Sequence, residues 1–559
     1  MGMKEAYLSK LLGGRNMKKF MPRGAKVVEQ DWKDGRGSPL CPIPPLPGPD
    51  YEELEFSRIS PPFSYARVLY NRESSEFIYD VIEPPLDENE RRLVALVRDS
   101  LERTLEYELD KMGIKDKEEY LKKSIESFIK TRGLRLDPQT KEKVVYYITR
   151  DFVGYGMIDV LMRDPRIEDI SCDGVDVPLF IFHQKFESIK TTVIFKDEHA
   201  LNSFVILLGQ RCGKQISVAS PILDGTTYEG HRVQATYARE VTTRGSSFTI
   251  RRFKEKPFTP VELIKFNTAS PEMVAYFWMA VEHGKSMIVC GGTASGKTAT
   301  LNAVAIFIAP GKKIVTMEDT REINLPHENW IPGTTRSGVG ERGPDGKAPG
   351  EIDMYELVRA ALRQRPNYII VGEVRGRETA TMFQAMATGH TTYSTMHADS
   401  VKSMVNRLEN PPINTPRILL TALNFVIIQN HVRVRDSQVR RIVQVVELIG
   451  FEPETNELIT NTVYEWDQRT DSFIYKGHSY ILDQLKEMKN MTHEEMEQEY
   501  RQRVDLIKYL VEKDITDYRE ISNIIVAYYK EPKETIAKIR EEMGWAVEAV
   551  PTEAGEIGA

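Results

Sequence analysis

Cysteine is scarce in this chain. Cys41, Cys172, Cys212 and Cys290 are the only four, they lie far apart, and none sits in a CxxC pair. That spacing argues against a disulfide framework or a zinc site and leaves reduced thiols of a cytoplasmic compartment as the expectation. No apolar run reaches the ~18 residues of a membrane span. A basic excess is missing as well: 75 Lys and Arg face 82 Asp and Glu, for a formal net charge of −7. A dedicated nucleic-acid binder carries a surplus of cations, so nucleic acid is not an expected partner. The opening stretch MGMKEAYLSKLLGGRNMKKFMPRGAK is basic but lacks the apolar core of a secretory leader. It reads as a solvated arm, able to touch anionic lipid or an acidic partner. Work at a membrane would then need a partner that holds the chain there.

With 559 residues the chain is too long for one core. Residues 1–50 read as a flexible basic and proline-rich arm; SPLCPIPPLPGPD alone holds six prolines. Residues 51–165 read as an N-terminal helical region. Its first part, YEELEFSRISPPFSYARVLY, has strand-like mixing of aromatics and charges. Its helical pattern starts near residue 87 and puts Leu93, Leu96, Val97 and Leu101 on one face. Residues 166–255 read as a small α+β, PAS-like domain, with strands in RIEDISCDGVDVPLFIFH, SIKTTVIF, HRVQATYA and SSFTIRRF. KEKPFTP is a linker. From 256 to 559 strand and helix alternate: SMIVC, KIVTMED, YIIVGE and TTYSTMH are strands with helices between them. That alternation predicts a parallel sheet covered on both faces. An antiparallel meander and charged C-terminal helices follow.

Gly291, Gly292, Thr293, Ala294, Ser295, Gly296, Lys297 and Thr298 match G-x-x-x-x-G-K-[ST] in full, between an aliphatic strand and a helix. Glycines let successive N–H groups curl toward the phosphates of ATP, and the helix N-terminus, with Ala299 in its first turn, adds partial positive charge. Lys297 neutralises the β- and γ-oxygens, and Thr298 offers its hydroxyl to Mg²⁺. In an open α/β sheet, ligands sit at the carboxyl ends of strands. KIVTMED ends there in Glu318 and Asp319, and YIIVGE ends in Glu373. A common acid pattern places Asp-Glu after four apolar residues; here Gly372 stands in the first place. Glu373 is therefore the expected Mg²⁺ and water contact. Glu318, Asp319 and Glu322 of EDTRE are available to orient or deprotonate the attacking water. A helix start capped by these acids is the structural alternative. His390 and His397 bracket TTYSTM, a spacing that makes a zinc site held by both improbable.

The order GGTASGKT, IVTMEDTRE, NYIIVGEVRG and ATGHTTYSTMHA resembles the Walker A, Asp box, atypical Walker B and His box of the type II/type IV secretion and type IV pilus ATPases. The resemblance runs from about residue 150 to the C-terminus and includes RIEDISCDG and RGSSFTIRRF. EDTREINLPHENWIPG, EIDMYELVRAALRQRPNYIIVGEVRGRE, FQAMATGHTTYSTMHADSVKSMVNRLENPPIN and ITDYREISNIIVAYY look like the archaeal branch. Within that branch the best match is the archaellum motor and assembly ATPase group; pilus-assembly and secretion ATPases are close relatives.

The resemblance implies an α/β fold: a RecA-like P-loop NTPase motor domain, preceded by a smaller α+β domain and a helical or extended N-terminal region. It implies a homo-hexamer with ATP and Mg²⁺ at subunit interfaces. Glu322 takes the general-base role, Glu373 the Walker B role, and His390 and His397 the His box. Arginines of the smaller domain reach the phosphates; Arg232, Arg239, Arg244, Arg251 and Arg252 are the positions that can do so. The implied partners are a polytopic membrane platform protein and accessory cytoplasmic motor proteins, at the cytoplasmic face of the cell membrane. The lone Walker B glutamate is normal in such a family. The glycine-rich loop PGTTRSGVGERGPDGKAPG, with Arg336 and Arg342, would lie beside the site. Three rivals remain at this point: a nucleic-acid motor on the same fold, a non-catalytic ring scaffold and a small-molecule kinase.

Overall fold

A computed structural model describes residues 37–105, 114–253, 256–336, 348–435, 437–452 and 457–545, with a few positions between. Most of the arm expected over 1–50 therefore lies outside the described residues. The chain divides into two compact units, Met1–Phe253 and Lys254–Ala559. Each is built on a nine-stranded sheet.

In the first unit, β1 (Tyr51–Ser60), β2 (Ser64–Asn71) and β3 (Glu76–Ile82) precede three helices, Glu88–Leu105, Ile114–Thr131 and Pro138–Phe152. Then come β4 (Ile167–Cys172), β5 (Pro178–His183), β6 (Glu187–Ile194), a helix at Glu198–Arg211, β7 (Ile222–Thr226), β8 (Arg232–Thr236) and β9 (Ser247–Arg251). The strand order is β1-β2-β3-β6-β5-β4-β9-β8-β7. The region expected to be helical from 51 thus opens with three strands of the same sheet that carries residues 167–251. The seam is parallel, Ile78 beside Lys190 and Tyr79 beside Thr191. Within these three strands β2, SYARVLYN, lies between β1 and β3 and is covered along nearly its whole length. A strand buried on both faces needs a neighbour on each edge for its backbone groups. Tyr79 strengthens the seam by donating to Asp164 Oδ2 at 2.6 Å, just ahead of β4.

The three helices form their own apolar cluster of Val94, Val97, Leu101, Leu121, Ile125, Val144 and Ile148. Leu96, expected on the buried stripe, is 45% exposed, and Val94 takes its place. Positions 94, 97 and 101 fall at i, i+3 and i+7, so the buried stripe is rotated toward Val94 from the expected one, with Leu93 packed at its border.

In the second unit, β10 (Met287–Cys290), β11 (Ile314–Glu318), β12 (Trp330–Thr334), β13 (Tyr368–Val371) and β14 (Thr391–Met396) join β15 (Phe425–Val434). These six run parallel in the order β12-β11-β13-β14-β10-β15. β16 (Ser437–Phe451), β17 (Leu458–Asp467) and β18 (Ser472–Tyr475) continue the sheet antiparallel. Alternate residues of each inner strand enter different cores. Met287 and Val289 pack with Ile314, Ile370, Tyr393 and Ile427 under helices Pro271–Glu282 and His493–Glu512. Ile288 and Cys290 pack with Val315, Val371, Met396 and Ile428 under helices Met354–Leu362, Glu378–Ala387 and Val401–Glu409. Two covered faces are why MIVC and YIIV read as unbroken apolar runs. This is the α/β, RecA-like architecture that the motif order implied.

One carboxylate ties the antiparallel extension to the C-terminal helices. Glu447 on β16 is 1% exposed. It accepts from Tyr276 Oη, Ser479 Oγ, Asn461 Nδ2 and the amides of Tyr480 and Ile481. Five donors satisfy a buried carboxyl group that would be costly to leave unpaired. Among the described residues no helix is long and apolar enough to cross a membrane.

Candidate active site

All six parallel strands end at one edge of the second unit's sheet, and the sequence motifs follow those ends. The loop after β10 turns through Ala294, φ 58°, and Gly296, φ 93°, into the helix Lys297–Ala305. Two glycines are required by close approach. A methyl group at Gly291 would lie 2.0 Å from the Gln429 carbonyl oxygen, and one at Gly296 would lie 2.9 Å from Gln429 Nε2. Gly292, by contrast, faces open space. Gly292, Thr293 and Ala294 are exposed, whereas Ser295 and Lys297 are buried and Thr298 and Ala299 are half-buried.

Lys297 donates to the Gly292 carbonyl at 2.7 Å, beside the Ser295 hydroxyl on the same acceptor. Burial pulls the Lys297 ammonium below its ordinary pKa, and Glu373 is the strongest influence opposing it. A cation desolvated against a neutral carbonyl at a glycine-rich loop is suited to a phosphoryl oxygen, which supplies the missing counter-charge.

Glu373 follows β13. Its Oε1 lies 3.0 Å from His397 Nε2, and its Oε2 pairs with Arg375. That hydrogen bond raises the Arg375 pKa. His397 follows β14 directly; burial lowers its imidazole pKa, and the Lys297 charge acts in the same direction. Lys297, Glu373, Arg375 and His397 are therefore one electrostatic cluster. Glu322 lies in the loop that follows β11 at the same edge, and its negative charge favours the charged form of Lys297 more weakly than that of Glu373 does.

The EDTRE segment starts no helix; residues 321–327 run as an irregular loop. Glu318 is 2% exposed, and its Oε1 accepts the amides of Glu322 and Ile323, each at 2.9 Å. Its Oε2 is buried without a protein partner. Burial pushes its carboxyl pKa up to about 8 against those two amide bonds. Asp319 is exposed and accepts from Thr335 Oγ1 at 3.3 Å.

His390 is not brought to this cluster. It precedes β14, at the amino end of a strand whose carboxyl end carries His397. Seven steps of ~3.3 Å put the two histidines roughly 20 Å apart within the chain. Among the described residues no three of His, Cys, Asp or Glu converge as a metal site. A magnesium ion held mainly by phosphates needs only one or two protein oxygens, and Thr298 and Glu373 are of the right type.

In the first unit, Arg252 is committed to the backbone carbonyls of Asp164 and Ile167. Arg239 pairs with Glu198 at 3.0 Å and Arg232 with Asp224 at 3.7 Å. Arg251 is exposed on β9 opposite Asp169. Arg244 is exposed in the turn closed by Gly245, with no ion pair among the described residues. Arg336 donates to the Gly350 carbonyl of its own loop at 2.8 Å, and Arg342 lies outside the described residues.

Three residues bracing the phosphate loop escaped the motif reading. Gln429, 1% exposed, accepts from Thr300 Oγ1 at 2.6 Å. His431 Nε2 and Arg440 Nε approach the Ala294 carbonyl at 2.7 and 2.9 Å. The available signal was a glutamine directly after FVII, where a buried strand should stay apolar.

A family model described as "Type II/IV secretion system protein" matches residues 228–531. The chain belongs to the type II/IV secretion system ATPase family. Among its relatives, the uncharacterized protein MJ0900 of Methanocaldococcus jannaschii is 35% identical over 476 residues, covering 81% of this chain and 85% of that protein. The type IV secretion system protein PtlH of Bordetella pertussis is 28% identical over 280 residues, 44% of this chain and 80% of PtlH. The X-ray structure of the Yersinia pseudotuberculosis ATPase DotB covers 68% of this chain and 93% of its own at 16% identity, with a TM-score of 0.37.

Proposed function

We propose that this chain is an ATP-hydrolysing motor that powers assembly of an archaeal type IV pilus-like filament, the archaellum before a pilus or secretion system. The observation that carries the reading is the cluster of Lys297, Glu373 and His397 beside the Glu322 loop, at the edge of the sheet where the phosphate loop opens. The archaeal branch is supported by the M. jannaschii relative and by the motif wording described above.

In this reading the loop 291–298 holds the phosphates through its amides, and Lys297 moves from the Gly292 carbonyl onto a phosphoryl oxygen. Mg²⁺, held through Thr298 and the Glu373 side, would neutralise charge between the β- and γ-phosphates. Glu322 accepts the proton of the attacking water. His397, whose charged form burial disfavours, lies beside Glu373, and Arg375 holds the other oxygen of that carboxylate. The chain acts as a homo-hexamer, and a smaller-domain arginine completes the site from a neighbouring subunit. Arg244 is best suited, because Arg232 and Arg239 are ion-paired and Arg252 is tied to backbone. Closure of the smaller domain on the motor and its release drive a membrane platform protein from the cytoplasmic face.

The test is hydrolysis by Lys297→Ala and Glu322→Gln proteins. Lys297→Ala should lose nucleotide binding. Glu322→Gln should keep binding and lose about 100-fold or more in kcat. Full activity in both would overturn the motor reading. Swimming compared with surface adhesion in a deletion strain separates archaellum from pilus.

A further inference from the structure

We propose that Glu318 is a positioning residue. It holds neither nucleotide nor metal but fixes the backbone from which Glu322 projects. This rests on the hydrolytic reading above. Three observations carry it. First, one carboxyl oxygen, Oε1, accepts both the Glu322 and Ile323 amides at 2.9 Å. Second, the residue after Glu322 is an anchor: Ile323 is fully buried in the core and Leu325 nearly so. The Glu322 backbone is thereby pinned by its own amide and by its neighbour, leaving the side chain exposed. Third, Glu318 packs closely against the face of Gly372. A methyl group there would lie 3.0 Å from Glu318 Cγ. The Glu318 backbone adds a further tie, its carbonyl accepting from Thr335 at 3.0 Å.

A group that works only through an acceptor oxygen needs no negative charge, and burial already favours its neutral form. Glutamine keeps the acceptor and the volume, whereas methionine keeps the volume and removes the acceptor.

The experiment uses the full chain in three variants, Glu318→Gln, Glu318→Met and Glu322→Gln, with steady-state hydrolysis and amide exchange of the 319–325 segment. Glu318→Gln should stay within about threefold of wild type in kcat and KM. Glu318→Met should lose about 100-fold in kcat, the scale of a misplaced catalytic group, with KM moved less than about threefold. Its amides at 322 and 323 should exchange at least about tenfold faster. Combined with Glu322→Gln, it should slow the reaction by no more than about twofold further, because both act on one step. Several results would overturn the proposal: a Glu318→Gln loss as deep as that of Glu318→Met, a loss confined to KM, or additive losses in the double variant. Should Glu318→Met fail to fold, Glu318→Gln alone decides by the same kcat criterion. Should wild type hydrolyse no ATP, the motor reading fails, and unchanged exchange at 322 and 323 in Glu318→Met would separately sink the positioning role.

Discussion

Gly372 and Glu318 occupy one slot between β13 and β11: a Cβ on the first would stand 3.0 Å from Cγ of the second. The absent acid of the Walker B strand and the buried acid of the Asp box are thus two aspects of one packing choice. Restoring the acid with Gly372→Asp places a second carboxylate against a buried carboxyl. It should destabilise the fold by about 1–3 kcal/mol and lower hydrolysis. Gly372→Ala should cost less than about 1.5 kcal/mol. Urea unfolding of the two variants checks the order.

The phosphate loop makes a sharper contrast. Gly291→Ala drives a methyl group into the Gln429 carbonyl, a backbone atom that cannot swing away. Gly292→Ala meets nothing. The first should weaken nucleotide binding by more than about tenfold, roughly 1.4 kcal/mol, and the second should leave it within about threefold. Titration with a fluorescent nucleotide distinguishes them.

Gln429→Leu removes the partner of a buried hydroxyl on the helix that begins at Lys297. Leaving Thr300 Oγ1 unsatisfied should cost about 1–3 kcal/mol. The double variant with Thr300→Val, which removes both polar groups, should recover part of that loss. Denaturant melts give the cycle.

Glu318 also predicts a pH dependence of stability. Its pKa in the fold, about 8, lies above the 4.5 of a free glutamate side chain. The group's contribution is therefore fully present below pH ~4.5 and is lost as pH rises through ~8, with a slope of at most about 1.4 kcal/mol per unit. Glu318→Gln cannot titrate. Its melting temperature relative to wild type should rise between pH 5.5 and 8 and level off above that. A constant difference across the range would contradict the buried neutral carboxyl.

What could be read from the chain alone divides by the range of the chemistry involved. Residues 291–298 announced themselves because a phosphate cradle is built from neighbours in sequence. MIVC and YIIV were readable as inner strands because two covered faces demand unbroken apolar runs. His390 shows a limit: a histidine box names two residues, but strand direction brings only His397 to the carboxyl end. Gln429, 129 residues from Thr300, and the β3–β6 seam, which pairs residues over 100 positions apart, depend on contacts that no local pattern encodes. EDTRE could equally open a helix; the buried Glu318 carboxyl, which captures the amides of Glu322 and Ile323, decides against it.

The brace on the Ala294 carbonyl has a thermodynamic consequence. His431 and Arg440 belong to a long antiparallel hairpin rooted in the core by Ile427 and Ile442. They hold the turn's one left-handed alanine in place through its carbonyl. An incoming triphosphate therefore meets a cradle whose conformational entropy has already been surrendered during folding. Little of the free energy of nucleotide capture is consumed in ordering the loop, and most remains to do work on the rest of the molecule.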